Sequence, residues 1–216
     1  MSSTSRALRG TAARRSLPPA LGPRLVRLYL GLGLFGVSLA LMVKAELGLD
    51  PWDVFHQGLA RQAGISLGLV VIAVGAIVML LWIPLRQRPG LGTISNVMVV
   101  GLVVDLGLAL LPRPQALAWR VIFLIGGIVV NGIATALYVG AGLGPGPRDG
   151  LMTGLAQRGH SLGLARTAIE LTVLATGWLL GGTVGVGTVA YAVGIGPLVH
   201  LLMPRLSVRE RSSCPQ

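Results

Sequence analysis

The sequence predicts an all-α polytopic membrane protein of about six transmembrane helices. They form two three-helix repeats, inverted relative to each other, each with a short amphipathic or re-entrant helix after its first crossing. Three observations predict this. The 216-residue chain is 53% hydrophobic and only 12% charged, with 32 glycines, too apolar and too Gly-rich for a soluble domain of its size. Six apolar runs are each long enough for a bilayer crossing, which takes roughly 20 residues. Leu47-Gly48-Leu49-Asp50-Pro51-Trp52-Asp53 returns as Leu143-Gly144-Pro145-Gly146-Pro147-Arg148-Asp149, 96 positions later.

The runs lie near residues 25–43, 67–85, 91–111, 119–140, 162–181 and 187–204. Pro84 and Pro89 separate the second from the third, Pro112 and Pro114 the third from the fourth, and Gly181 and Gly182 end the fifth. Repeat 1 is thus expected over residues 25–111 and repeat 2 over 119–204, with tails at 1–24 and 205–216. The first tail holds five arginines and no acid, and reads as a disordered cytoplasmic segment. A targeting peptide shares that composition. A secretory leader cleaved near Ser38-Leu39-Ala40 is a further alternative, but the first run has an internal counterpart at 121–139, which a removable leader should lack.

Of the 18 basic residues, 17 are Arg, and they follow the runs. With both termini inside, the inner segments carry 14 basic residues and the outer segments four: Lys44, Arg61, Arg113 and Arg120. The positive-inside rule then predicts a multi-pass protein with both termini in the cytoplasm. The net charge of +11 accordingly reports topology and a lipid bilayer as partner, with no nucleic acid implied.

The repeat extends beyond its motif. At an offset of 96, Gly36, Ala40, Leu41, Ala45, Gly58, Leu59 and Ala60 also meet identical residues. At an offset of 95, Ser66-Leu67-Gly68-Leu69 matches Ser161-Leu162-Gly163-Leu164, and Gly90, Gly92 and Thr93 match Gly185, Gly187 and Thr188. Three crossings per repeat is an odd number, so the halves are upside down relative to each other, as in many transporters. The two motifs would then sit at opposite faces, Asp53 outside and Asp149 inside. This requires that segments 51–63 and 147–158 do not cross. Thirteen helical residues reach about 20 Å against a core of about 30 Å.

Each motif reads as a helix start. Asp50 is a good N-cap, Pro51 suits the first helical position and Asp53 falls at the third; Gly146, Pro147 and Asp149 repeat the pattern. The simpler reading is an interfacial helix with ordinary caps. The sharper one is a re-entrant half-helix whose end faces a substrate. Because each positive helix end already faces its own carboxylate, a free anion would have to compete with Asp53 or Asp149. A cation, proton or zwitterion suits the first copy better. Arg148 either pairs with Asp149 or anchors at headgroups.

Ionisable groups inside the runs are few, and each is costly unless shielded. Asp105 in the third run corresponds to His200 in the sixth, so the two are candidates for a proton relay; the alternative is that both reach interfacial water. Glu170 lies four residues after Arg166, the spacing of a local ion pair. Asn131 and Thr135 share a helix face and are read as bonding between helices before contacting a substrate. Asp105, His200, Glu170 and Asn131 are the candidate substrate or proton path. Lys44, Glu46 and Asp50 read as a solvated outer rim. His56 and His160 are not matched to each other. The single cysteine, Cys214, lies in the C-terminal tail. No Cys or carboxylate stands at metal-ligand spacing, and no cofactor is implied. Gly31, Gly33 and Gly36 fit GxGxxG, but inside a membrane run with no preceding strand. No P-loop, HExxH or GxSxG is present, so no catalytic constellation is identified.

Ala45-Glu46-Leu47-Gly48, Pro51-Trp52-Asp53-Val54, Ser66-Leu67-Gly68, Arg88 to Thr93 and Gly146-Pro147-Arg148-Asp149-Gly150 together resemble the YczE-like bacterial integral membrane proteins, relatives of the YitT group. The resemblance covers about residues 25–204. It implies a bacterial inner-membrane protein of unassigned activity and no catalytic residues. The expected function is a small-solute permease or transport-related protein, with a homodimer as the expected assembly. The alternative is a non-transporting accessory protein that assembles or regulates an enzyme complex.

Overall fold

A computed structural model describes residues 21–159 and 161–206, and these residues are all-helical apart from their loops. Eight helices follow in order: α1 (Leu21–Ala45), α2 (Pro51–Ala63), α3 (Leu67–Leu85), α4 (Leu91–Leu110), α5 (Leu117–Gly140), α6 (Pro147–Ala156), α7 (Leu162–Leu179) and α8 (Val186–Leu206). Every predicted run and both short segments appear. Leu21 to Arg24 of the predicted tail belong to the first helix. The rest of that tail, the C-terminal tail with Cys214, and His160 lie outside the described residues.

Among the described residues five helices are long and apolar enough to cross a membrane: α1, α3, α4, α5 and α8. The fifth predicted crossing forms α7, but it does not join that set. Arg166 and Glu170 interrupt its apolar run and lower its hydropathy.

Sequence punctuation sets the helix boundaries. Asp50 accepts the Asp53 N–H at 2.8 Å, capping α2 behind Pro51. Ser66 caps α3 in the same way through Leu69. Gly64 ends α2 in the left-handed conformation that an L side chain resists.

The first helices of the repeats, α1 and α5, pack on each other and form the centre of the fold. They run antiparallel, with Gly31 against Ala134 and Tyr138 and Gly127 against Ser38 and Met42. The absence of a Cβ at these glycines lets the two backbones approach closely. Asn131 in α5 donates to Ser38 Oγ at 2.9 Å and accepts from the Tyr191 hydroxyl at 3.1 Å, tying α1, α5 and α8 together. This is the helix-to-helix role expected of it.

Around this pair the packing is reciprocal. α4 lies on α1 and α8 on α5, while α2 crosses to α7 and α6 crosses to α3. The hydrogen bonds repeat the exchange. Gly92 N–H donates to Leu143 O at 2.8 Å, and its counterpart Gly187 donates to Leu47 O at 2.7 Å. Each repeat's third long helix therefore starts on the other repeat's motif. Gly48 and Gly144 adopt φ of 117° and 124°, and a Cβ on either would strike the opposing helix start. The short helices interlock by exchange of size: Gly150 accommodates the Trp82 ring, whereas Gly177 accommodates the Val54–Phe55 backbone.

Candidate functional site

The starts of α2 and α6 converge. Arg148, at the second position of α6, reaches Asp53 at 3.1 Å and Asp50 at 3.5 Å, and its guanidinium lies 5.4 Å from the centre of the Trp52 ring. Asp53 is fully buried and Asp50 is 2% exposed. Two expectations are corrected. Asp50 does not belong to a solvated rim with Lys44 and Glu46, since the loop after α1 folds it inward; Glu46 faces Arg113 and Arg120. Nor does Arg148 pair with its neighbour Asp149 or anchor at headgroups, because the starts of α2 and α6 meet and hold it against Asp50 and Asp53. Asp149 instead accepts from the Tyr138 hydroxyl at 3.0 Å.

His56, one turn into α2, is also buried, with Nδ1 at 3.3 Å from Asp53 Oδ1. Burial pushes the His56 imidazole down to about 3, helped by the Arg148 charge and opposed by Asp50. It is therefore neutral at physiological pH, and with its proton on Nδ1 it donates to Asp53. Burial pushes the Asp50 carboxyl up to about 7. The Asp53 charge adds to this and the Arg148 charge opposes it. Asp50 Oδ2, Asp53 Oδ2 and Trp52 Nε1 are buried with no hydrogen-bond partner among the described residues. The Arg148 approach to Asp50 falls within ion-pair distance without hydrogen-bond geometry.

A cavity of about 460 Å³ adjoins this cluster. Asp50, Trp52 and His56 line it from the first motif, and Gly146 to Asp149 from the second. The walls are apolar side chains of α3 and α4, with Tyr138 and Thr135 from α5. On the far side lie Arg166 and Glu170 of α7, and Tyr191 and His200 of α8. Arg166 Nε donates to Glu170 at 2.9 Å, the local pair expected from their spacing.

Of the candidate path, Glu170 and His200 reach the cavity and Asn131 stands behind it through Tyr191. Asp105 does not line it. It accepts the Gly68 N–H at 2.7 Å and so anchors the start of α3 to α4. The Asp105–His200 relay is therefore not assembled, because symmetry-equivalent positions need not be neighbours.

The two repeats differ in how their second and third long helices pack. In repeat 1, Gly68 and Gly101 are buried and α3 packs closely on α4 there. Their counterparts 95 residues on, Gly163 and Gly196, are exposed with no other helix near them. α7 and α8 share no interface comparable with α3–α4, and the cavity occupies the gap between them.

Among the described residues no group of three or more His, Cys, Asp or Glu is placed to hold a metal. Sequence reasoning found both helix starts and missed their meeting. His56 and Trp52 could have been flagged by their position within one turn of the Asp50 cap, and Tyr191 had no signal.

A family model described as "Family of unknown function (DUF6198)" matches residues 23–204. An uncharacterised protein of Haemophilus influenzae is 42% identical over 177 residues, covering 82% of this chain and 81% of its own. The uncharacterised membrane protein YczE of Bacillus subtilis is 34% identical over 173 residues, covering 79% and 80%. The uncharacterised protein YyaS of the same organism is 26% identical over 186 residues, covering 82% and 92%. No solved structure matches.

Proposed function

The chain belongs to the family of unknown function DUF6198 and is similar to the uncharacterised membrane protein YczE, and for it we propose a small-solute permease built on inverted repeats. The observation that carries this reading is the cavity, lined by polar groups of both repeats and flanked by one packed helix pair and one unpacked pair. A permease exposes its site to one side at a time by rocking one repeat against the other. The reciprocal hydrogen bonds at Gly92 and Gly187 support the inverted relation. α3 against α4 then represents the closed arrangement and α7 beside α8 the open one. In this reading α7 is the sixth crossing, with Arg166 and Glu170 turned to the cavity. The arginine distribution supports cytoplasmic termini, and the bacterial relatives support a bacterial inner membrane. α2 and α6 act as half-helices that carry the polar groups to the interior.

Two measurements test it. Purified protein in vesicles is assayed for uptake, and in detergent for thermal stabilisation, across a library of small cations and zwitterions. Gly163→Cys with Gly196→Cys, in a Cys214→Ser background, is assayed for cross-linking by a short thiol reagent. The permease reading expects uptake and a cross-link whose rate changes with the transported solute. If no solute produces a response and the cross-link does not form, the accessory role replaces it, with the same surfaces serving a protein partner or a second copy of the chain.

A further inference from the structure

Asp50, Asp53 and Arg148 make a buried group in which two carboxyls share one guanidinium. The other charged or titratable side chains around it are His56 from α2, which is neutral, Tyr138 from α5 bonded to Asp149 from α6, and Tyr191 from α8; Arg166 and Glu170, a local pair, and His200 also line the cavity. With both carboxyls ionised the group carries a net charge of −1, and no further cation approaches it among the described residues. An uncompensated buried charge is strongly unfavourable, so such a site takes up a compensating positive charge.

The two carboxyls differ in what they can accept. Asp53 Oδ1 receives both Arg148, at 3.1 Å, and His56, at 3.3 Å, and Asp53 does not line the cavity. Asp50 uses Oδ1 to cap α2, leaving Oδ2 with no hydrogen bond. Asp50 does line the cavity. Beside it the Trp52 Nε1–H is also unpartnered, a second polar group at the same wall.

We propose that Asp50 is an exchangeable-proton site of the central cavity. A proton from cavity water adds to Oδ2, giving a neutral carboxyl and an overall neutral group. Its departure to water restores the carboxylate and the net charge of −1. The helix cap survives both states because it uses Oδ1. Service of this proton as a coupling ion rests on the permease reading, whereas the proton site itself does not.

The test is an infrared difference titration of the full-length purified protein in detergent. Wild type, Asp50→Asn, Asp53→Asn and Arg148→Gln are compared, without any solute. Asparagine retains a capping oxygen, so Asp50→Asn is expected to fold, and unchanged helical circular dichroism checks this. In wild type, a protonated-carboxyl band should disappear as pH rises through about 7. Asp50→Asn should lack that band. Asp53→Asn should move its midpoint to lower pH, and Arg148→Gln to higher pH. A wild type without such a band, or a folded Asp50→Asn that retains it, overturns the proposal. Failure to find a transported solute leaves this titration unaffected, so the two readings fail separately.

Discussion

Arg148 of α6 and Asp53 of α2, 95 positions apart, form an ion pair at 3.1 Å that joins the two copies of one duplicated motif. The pair is a lock between the repeats, and its arginine also lines the cavity. Removing the guanidinium leaves two carboxyls buried without a cation, and the loss of one partner of such a pair typically costs about 3–5 kcal/mol. Arg148→Ala should therefore lower the unfolding temperature in detergent markedly. Adding Asp53→Asn should recover part of the loss, a coupling that a double-mutant cycle measures.

The interlock of α3 and α4 gives a second prediction. A Cβ at Gly68 would strike Gly101 and Asp105, so Gly68→Ala should destabilise by at least about 1–3 kcal/mol, the usual range for overpacking. Its counterpart Gly163 meets no other helix, and Gly163→Ala should not lower stability. Equal effects at the two sites would remove the distinction between a packed and an unpacked helix pair.

Stability should respond to pH in two opposed ways. The Asp50 carboxyl is raised from 3.8 to about 7, so its contribution is fully present below 3.8 and lost as pH rises to about 7. The His56 imidazole is lowered from 6.5 to about 3, so its contribution is present above 6.5 and lost as pH falls toward about 3. Over the shared window the two nearly cancel. Asp50→Asn should expose the histidine alone, giving a protein whose melting temperature falls steadily on acidification where wild type is flatter. A melting series from pH 4 to pH 8, read from intrinsic fluorescence, checks this.

The Ser38–Asn131–Tyr191 chain should behave as a unit. Asn131 is fully buried and serves both partners, so Asn131→Ala should cost about 1–3 kcal/mol through the groups it leaves unpaired. Ser38→Ala should cost less, and the double variant less than the sum of the two. Thermal melting of the three variants beside wild type separates these outcomes.

Topology is tested apart from activity. Reporter fusions at Gly64, which ends α2, and at Gly159, shortly after α6, should mark opposite sides of the membrane. The same side for both would make the repeats parallel and remove the rocking mechanism.

Much of the fold was legible in the chain. The helix starts at Pro51 and Pro147, the apolar runs, the Arg166–Glu170 spacing and the duplicated Gly-Pro-Asp motif all express local rules. Proline fits a first turn, a carboxylate caps it, an i, i+4 pair touches, and twenty apolar residues span lipid. These depend on neighbours within a turn or two, which a sequence displays directly.

Only the tertiary structure decided what the motifs do together. Asp105 and His200 are equivalent by repeat yet unconnected, because equivalence constrains position and not contact. Arg148, Asp50 and Trp52 meet because glycines at 31 and 127 let α1 and α5 close on each other, and because the short helices cross to the opposite repeat. The separation of α7 from α8 is not written in their residues either, since Gly163 and Gly196 repeat Gly68 and Gly101. One sequence pattern is compatible with both a packed and an open pair. Which of the two a given pair adopts is set by long-range packing.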